Sequence, residues 1–370
     1  MKLIEIIVTI VVLAGLGIII IACKNMESYK TKKIKYDATP SAPIGYEGFV
    51  LTSSFVGSAI IPYLPVNGRW GSGAASWAVG EDKHTAPDTV YIRYYSLVDD
   101  KFYVKNYPLD QQEMYRLLTA EYKDRSGEIL RYFTFEVSVA PCGLVGVWVN
   151  GSAGELAICQ FKADETNLDF PKEYKYMTGI EVSREEILRY RENLYPFIQK
   201  EIAEKQVSSE YWERLMKKYR WKLTFNDSGF EVYDYQIDLI NSELRYGASN
   251  GNWLTELNEK AIPKELSFYI KHDKDPLKYQ VRIQLVKPWD SDDQDEEGQV
   301  VAEMKRQSEL MDIFEKFYTE AGNEEVSLQV EFNDSMTSAK LKLKTATKEK
   351  EIENCILRGI FDSDHYNLDD

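Results

Sequence analysis

From Leu3 to Ala22 the chain is apolar, interrupted only by Glu5 and Thr9. At about 1.5 Å per residue a helix of that length reaches roughly 30 Å, the hydrocarbon thickness of a bilayer. Residues 1–23 are therefore expected to be a membrane anchor or a secretion signal. A polar stretch with Pro40 and Pro43 follows, and residues 24–45 read as a tether. Beyond it the hydrophobic period falls to two. Strands are expected over 90–94, 102–107, 131–139, 144–149 and 155–161. A helix from Asp110 to Tyr122 lies among them, with Asp110 and Glu113 forming a capping box.

The same order then returns. Trp77 stands ten residues before Pro87 and the strand at 90–94; Trp253 stands ten residues before Pro263 and a strand at 266–270. A strand near 278–286, a helix over 299–320 stopped by Gly322, strands near 326–332 and 339–345, and a closing segment at 351–358 complete the second copy. This spacing predicts an internal duplication that places 70–161 on 246–358. Between the copies Ser183 and Glu186 suggest a second capping box. Ile187, Tyr190, Leu194 and Ile198 make a half-apolar helical face that Pro196 limits, and another helix starts at Ser208 or Ser209. Lys222 to Leu239, with Asn226-Asp227-Ser228-Gly229 at its centre, reads as a hairpin. The expected fold is α+β, with two β-rich units of antiparallel strands (46–165 and 221–370), each carrying one helix. A helical insert (166–220) separates them, and a membrane segment precedes them.

Composition narrows the function classes. Of 370 residues 45 are basic and 60 acidic, a formal charge of -15, so a phosphate backbone would be repelled and no nucleic-acid partner is expected. The stock for metal or triad chemistry is small, three histidines and four cysteines. His84, His272 and His365 lie beside Lys83, Lys271 and Asp364, a polar context that predicts solvated rings. Gly71-Ser72-Gly73 is too short for a phosphate loop and reads as a turn. Cys142, Cys159 and Cys355 are expected either to include one bridged pair, Cys142 with Cys159, or to be buried thiols. No cofactor is expected. Twenty-five tyrosines and seven tryptophans suit a partner-binding surface as well as a core.

One charged run stands out. Asp290, Asp292, Asp293, Asp295, Glu296 and Glu297 resemble half of a calcium loop, but Met304 occupies the position where a closing glutamate belongs. The run is expected to be an extended, mobile loop that leads into the positive end of the following helix, where each acid gains about 0.3 to 1 kcal/mol. Asp290, Asp292, Asp293 and Asp295 are candidate contacts for a basic protein partner, acting mainly on the association rate.

Ile20-Ile21-Ala22-Cys23 resembles the lipobox of bacterial lipoproteins, in which a small residue precedes the acylated cysteine; that resemblance implies lipid attachment at Cys23. The lysines at 24, 30, 32, 33 and 35 point instead to a single-pass anchor by the positive-inside rule. Leu3-Ile4-Glu5 resembles a processed pilin start, a third reading. Further on, Tyr36-Asp37-Ala38-Thr39, Ala42-Pro43, Tyr46, Trp70-Gly71, Gly80-Glu81, Pro87, Tyr95-Ser96, Lys101-Phe102-Tyr103 and Pro108-Leu109, then Gly143, Trp148 and Gly151, resemble the bacterial lipoprotein family catalogued as domain of unknown function 2931. The resemblance covers about residues 34–220. It implies a cell-envelope lipoprotein without an assigned activity. Some members sit beside toxin or phospholipase genes of contact-dependent secretion systems, which implies immunity to an incoming effector. The expectation is thus an envelope-anchored, non-enzymatic protein-binding module facing the periplasm. The alternative is a carboxylate-dependent hydrolase or carbohydrate-active protein working through groups such as Glu81 and Asp82.

Overall fold

A computed structural model describes residues 29–51, 53–55, 60–61, 64–66, 68–72, 83–290, 293 and 295–362. Its first strand, β1 (Asp37–Ser41), falls inside the expected tether and pairs in parallel with β6 (Tyr132–Val139). The tether expectation is corrected here: Ala38 and Ser41 are wholly buried. Pro40 misled it, yet β1 is the edge of its sheet, where a proline deprives the ladder of no essential N–H.

Further strands of the first half are β2 (Gly48–Val50), β3 (Leu64–Val66), β4 (Thr89–Ser96), β5 (Lys101–Pro108), β7 (Leu144–Gly151), β8 (Gly154–Lys162) and β9 (Asp164–Thr166), beside four short ones at Ser53–Phe55, Ile60–Ile61, Tyr122–Lys123 and Ile129–Leu130. Helix α1 (Gln111–Thr119) lies between β5 and β6. Asp110 caps it by accepting from the Gln112 and Glu113 N–H groups, but Glu113 turns to Arg116 rather than closing a reciprocal box. In β6 the residues Phe135, Val137 and Val139 alternate with Thr134, Glu136 and Ser138. The apolar set meets Val145, Val147 and Val149 of β7, together with Val90 and Ile92 of β4 and Leu117 of α1, in a core of its own.

The insert is helical as expected: α2 (Phe170–Thr178), α3 (Arg184–Arg189), α4 (Pro196–Glu204) and α5 (Glu210–Leu215). Ser183 and Glu186 form the reciprocal capping box. Pro196 opens α4 at its first turn, where a missing N–H costs nothing.

The second half contains β10 (Tyr219–Phe225), β11 (Phe230–Leu239), β12 (Leu244–Tyr246), β13 (Pro263–His272) and β14 (Asp275–Gln284). Helix α6 (Glu296–Ala321) follows, then β15 (Val326–Phe332), β16 (Ala339–Lys344), β17 (Glu349–Glu351) and β18 (Ile356–Asp362). Its main pairings repeat those of the first half, apart from short extra strands at Ser53–Phe55 and Ile60–Ile61 in the first and Asn258–Lys260 in the second. β1 is parallel to β6 and β10 to β15. β6-β7-β8 and β15-β16-β17 are antiparallel runs. β3-β2-β4-β5-β9 has the order of β12-β11-β13-β14-β18. One helix links the two sheets at the same point in each half. The connectivity expected for 70–161 and 246–358 is therefore present and extends to 37–166 and 219–362.

Three expectations are corrected by this topology. The strands are not all antiparallel. Lys222 to Leu239 is not a hairpin, because β10 and β11 enter different sheets on either side of the Asn226–Gly229 turn. The closing segment is two strands, β17 and β18, also in different sheets, separated by a turn with Asn354 at φ 59°.

The halves are fused through β8 and β12, whose register is Gly154↔Arg245 and Glu155↔Leu244. This joins β1-β6-β7-β8 to β12-β11-β13-β14-β18 as one nine-stranded sheet. A Cβ at Gly154 would lie 2.3 Å from the Leu244 carbonyl oxygen, so the junction depends on glycine. No helix of the described residues is long and apolar enough to cross a membrane.

Candidate binding site at the junction

Beside the β8–β12 seam, the loops 42–47 and 68–72 of the first half meet α5, the β11–β12 turn and α6. The 68–72 loop is fixed by Gly71, at φ 77°, where a Cβ would come within 2.8 Å of both Trp148 and Ser242. Trp70 packs edge-on against Trp148 at 5.2 Å, and the Trp148 indole N–H donates to the Asn241 carbonyl at 3.0 Å. Ser242, itself at φ 65°, donates its hydroxyl to the Trp70 carbonyl. Beside these contacts lies an open cavity of about 270 Å³ walled by Tyr46, Trp70, Tyr211, Trp212 and Trp289. A second cavity of about 560 Å³ shares Ile44, Arg69 and Trp289 with it. At their shared border the Arg69 guanidinium lies 4.7 Å above the Trp289 ring.

Four carboxyl groups and two cations line the smaller cavity. Glu303 accepts from Lys264 Nζ at 2.5 Å, from the Trp289 indole N–H at 2.5 Å and from Gln307 Nε2 at 3.0 Å. Burial opposes its ionisation, but Lys264 and the Trp289 hydrogen bond outweigh burial and hold it below the usual carboxylate range. Glu243 is 1% exposed. Its Oε1 accepts from Lys218 at 3.0 Å, from Arg245 at 3.2 Å and from the Ala157 N–H at 3.2 Å, whereas Oε2 has no hydrogen-bond partner. Glu155 is pushed up to about 9 by burial first, then by Glu136, Glu243 and Asp238, so it carries a proton at neutral pH; its Oε1 is buried without a partner. Asp238 is raised by burial and by Glu265, against the pull of Lys264. The Trp70 indole N–H is likewise buried and unpartnered.

The described residues of the acidic segment, Asp290, Asp293 and Asp295, border this site and are hydrogen-bonded. The Asp290 N–H donates to Gln299 Oε1 at 2.7 Å, and Gln299 Nε2 donates back to the Asp290 carbonyl at 3.0 Å. Asp293 accepts from the Asp295 N–H at 3.0 Å, and Asp295 caps α6 by accepting from the Gly298 N–H at 2.9 Å. Glu297 accepts from the Phe197 N–H at 3.3 Å, and the Tyr195 hydroxyl bonds Glu296, so the segment is fastened to the insert. Helix capping and insert contacts outweigh like-charge repulsion, which exposed carboxylates relieve in water. Asp292 lies outside the described residues, as do Cys23, Trp77, Glu81, Asp82 and His365. Among the described residues no three His, Cys, Asp or Glu side chains are grouped to hold a metal.

Other singled-out residues fall elsewhere. His84 is 7% exposed, not solvated, because its ring packs against Tyr36 while its backbone bridges Ile34. His272 sits 3.3 Å from both Asp227 and Asp273. Cys142, Cys159 and Cys355 are free thiols; Cys142 is exposed, and burial pushes Cys159 up to about 12. Sequence reasoning did not find Glu155, Glu243, Glu303 or Arg69. The signals near them were Trp70-Gly71, read as part of a family pattern, and Met304, read only as the failed close of a calcium loop.

The family model described as "Protein of unknown function (DUF2931)" matches residues 23–209, half of the chain. The chain belongs to this family. No curated protein and no solved structure matches it. The DUF2931 region ends before α5, so it supplies the 42–47 and 68–72 loops and Glu155. The β11–β12 turn, α5 and α6 come from beyond it.

Proposed function

We propose that this DUF2931 protein is an envelope-anchored, non-enzymatic binding module that engages a protein partner through the junction cleft, with immunity to a secreted effector as its role. In this reading residues 1–23 anchor the chain, through a lipid on Cys23 or as a membrane helix, and the duplicated β-rich body faces the periplasm. The observation that carries it is the cleft itself, an aromatic-walled concavity bordered by Asp290 and the start of α6 on a protein of charge -15. Aromatic rings supply contact area at low entropic cost, and an acidic rim attracts a basic partner and raises its association rate. The polar groups in the walls support binding over catalysis, because Glu303 and Glu243 are held by structural lysines and arginine.

A carboxylate-dependent hydrolase is favoured by one observation, that Asp238 and Glu265 stand directly opposite on β11 and β13. Glu265 is engaged by Arg282 and Gln284, and it lines a different cavity from Asp238, so the pair does not converge on one substrate position. The test is titration of the full chain with the product of the gene adjacent to its own. Binding that weakens at least tenfold in the triple variant Asp290→Asn, Asp293→Asn, Asp295→Asn at low salt is expected. Equal binding by the variant would refute the rim's part in it.

A further inference from the structure

Resting on the reading that residues 1–23 anchor the chain, we infer that the body makes a second membrane contact of its own. The pole where the chain enters β1, with Ile129 and Phe133 exposed beside a run of lysines, lies against an anionic lipid surface. Reach comes first. With Cys23 held at the bilayer, residues 24–28 can span at most about 20 Å to Tyr29, the first described residue. From there Lys32 sits over the Tyr115 ring of α1 at 5.9 Å, and β1 begins with Asp37 in register with Thr134 of β6. The pole formed by α1 and the start of β6 is therefore tied close to the headgroups, whatever path the linker takes.

That pole presents apolar surface by construction. Phe133 is the extra residue of a β-bulge: Tyr132 pairs with Gly151 and Thr134 with Asn150, so nothing on β7 opposes it. A bulge re-aims its side chain, and this one leaves the phenyl ring 47% exposed. Glycine at 151 makes room for it, because a Cβ there would lie 2.2 Å from the Arg131 carbonyl oxygen and 2.9 Å from the Phe133 ring. Ile129, 48% exposed, and Arg131 alternate with Phe133 along the same extended segment, and all three are exposed. Arg131 is paired with Glu121, so the unbalanced charge comes from the entering chain. Lys30, Lys32, Lys33 and Lys35 are exposed there, with no acid between Tyr29 and Tyr36.

Apolar side chains that dip into the headgroup layer and lysines that meet anionic headgroups are the two components of an interfacial contact, and each is weak alone. The tether makes them count by holding both within reach of the leaflet. Net charge then orients the body. At -15 the chain as a whole is repelled by the same leaflet, so only an approach led by the lysines is favoured. The 42–47 loop of the junction cleft follows β1 at its far end, five residues or about 17 Å away, so the cleft loop and the lipid contact occupy opposite ends of that strand.

The test is photo-cross-linking of the full chain reconstituted into phosphatidylcholine vesicles with or without phosphatidylglycerol. Phe133→p-benzoylphenylalanine is the probe. Ile356→p-benzoylphenylalanine is the control, since Ile356 is 39% exposed on β18, at the opposite edge of the nine-stranded sheet from β1. On anionic vesicles the lipid adduct at 133 should exceed that at 356 at least fivefold. It should fall at least threefold on phosphatidylcholine alone and in the variant K30Q/K32Q/K33Q/K35Q, which alters only exposed side chains and should fold. Equal adducts at the two positions, an adduct to a second copy of the chain in place of lipid, or a yield indifferent to anionic lipid, in vesicles that still carry the protein on flotation, overturns this inference and leaves the anchor standing. Failure of the full chain to float with any vesicle sinks the anchor reading, and the lipid contact with it.

Discussion

Replacing Glu155 by glutamine should stabilise the free protein at neutral pH. In the folded chain this carboxyl is raised from its ordinary 4.5 to about 9, mainly by burial. Between those values the folded state holds a proton that the unfolded state has released, so stability is full below pH 4.5 and falls as pH rises, by about 1.4 kcal/mol per unit. By pH 7 the accumulated loss is about 3 kcal/mol. Glutamine has no proton to lose, fills the same space, and brings an amide for which the unpartnered Glu243 oxygen is an acceptor in the same wall. Allowing for imperfect amide geometry, the gain at pH 7 is about 1–3 kcal/mol, which for a chain of this length is a rise in Tm of roughly 1–4 °C. The assay is thermal unfolding of both proteins by circular dichroism from pH 5 to pH 8.5. The curves should nearly coincide at pH 5 and diverge steadily above it, the variant being the more stable. A variant that is less stable at every pH, or a difference that does not grow with pH, refutes the assignment of a buried protonated Glu155.

Gly71→Ala must place a Cβ within 2.8 Å of Trp148 and Ser242 at a positive φ, so it should cost about 2–4 kcal/mol in chemical denaturation. Lys260 is fully buried, with its ammonium 5.0 Å from both the Trp221 and Trp253 rings and bonded to the Trp221 and Glu256 carbonyls at 2.6 Å. Burial lowers it to about 7, so the unfolded chain binds more protons above that value and stability should rise from pH 7 toward 10. Lys260→Met should remove that rise, so in urea unfolding its stability relative to the wild type should fall steadily from pH 8 to pH 10; a constant difference would refute the assignment. At the α6 cap, Asp295→Ala should lose about 1 kcal/mol and Asp295→Asn should stay within about 0.5 kcal/mol, because asparagine accepts the Gly298 N–H equally well.

Much of the fold was legible because local signals and long-range pairing agree. The strands at 132–139 and 326–332 carry strict alternation, and Ser183 with Glu186 caps its helix as the spacing demands. The misreadings share one cause. A turn signal says that the chain reverses, not which sheet receives the next strand, so Asn226–Gly229 looks the same in a hairpin and in the crossover it actually makes. The break at Asn354 hid inside a closing segment for the same reason. Pro40 imitated a linker because an edge strand tolerates proline. The site was almost wholly illegible. Glu155 and Glu243 are 88 positions apart, and what makes them notable is that each buries an unpartnered carboxyl oxygen, a property of the β8–β12 seam and not of either neighbourhood.

Whether the junction cleft is the working surface is decided most directly by hydrogen–deuterium exchange of the full chain, alone and in complex with the product of the adjacent gene. The account predicts slowed exchange in residues 42–47, 68–72, 239–244 and 289–307, the segments that meet at the cavity. Protection confined to the outer face of β15–β17, where Lys340 and Lys342 pair with Glu351, Glu331 and Glu349, with the cleft segments unchanged, would contradict it.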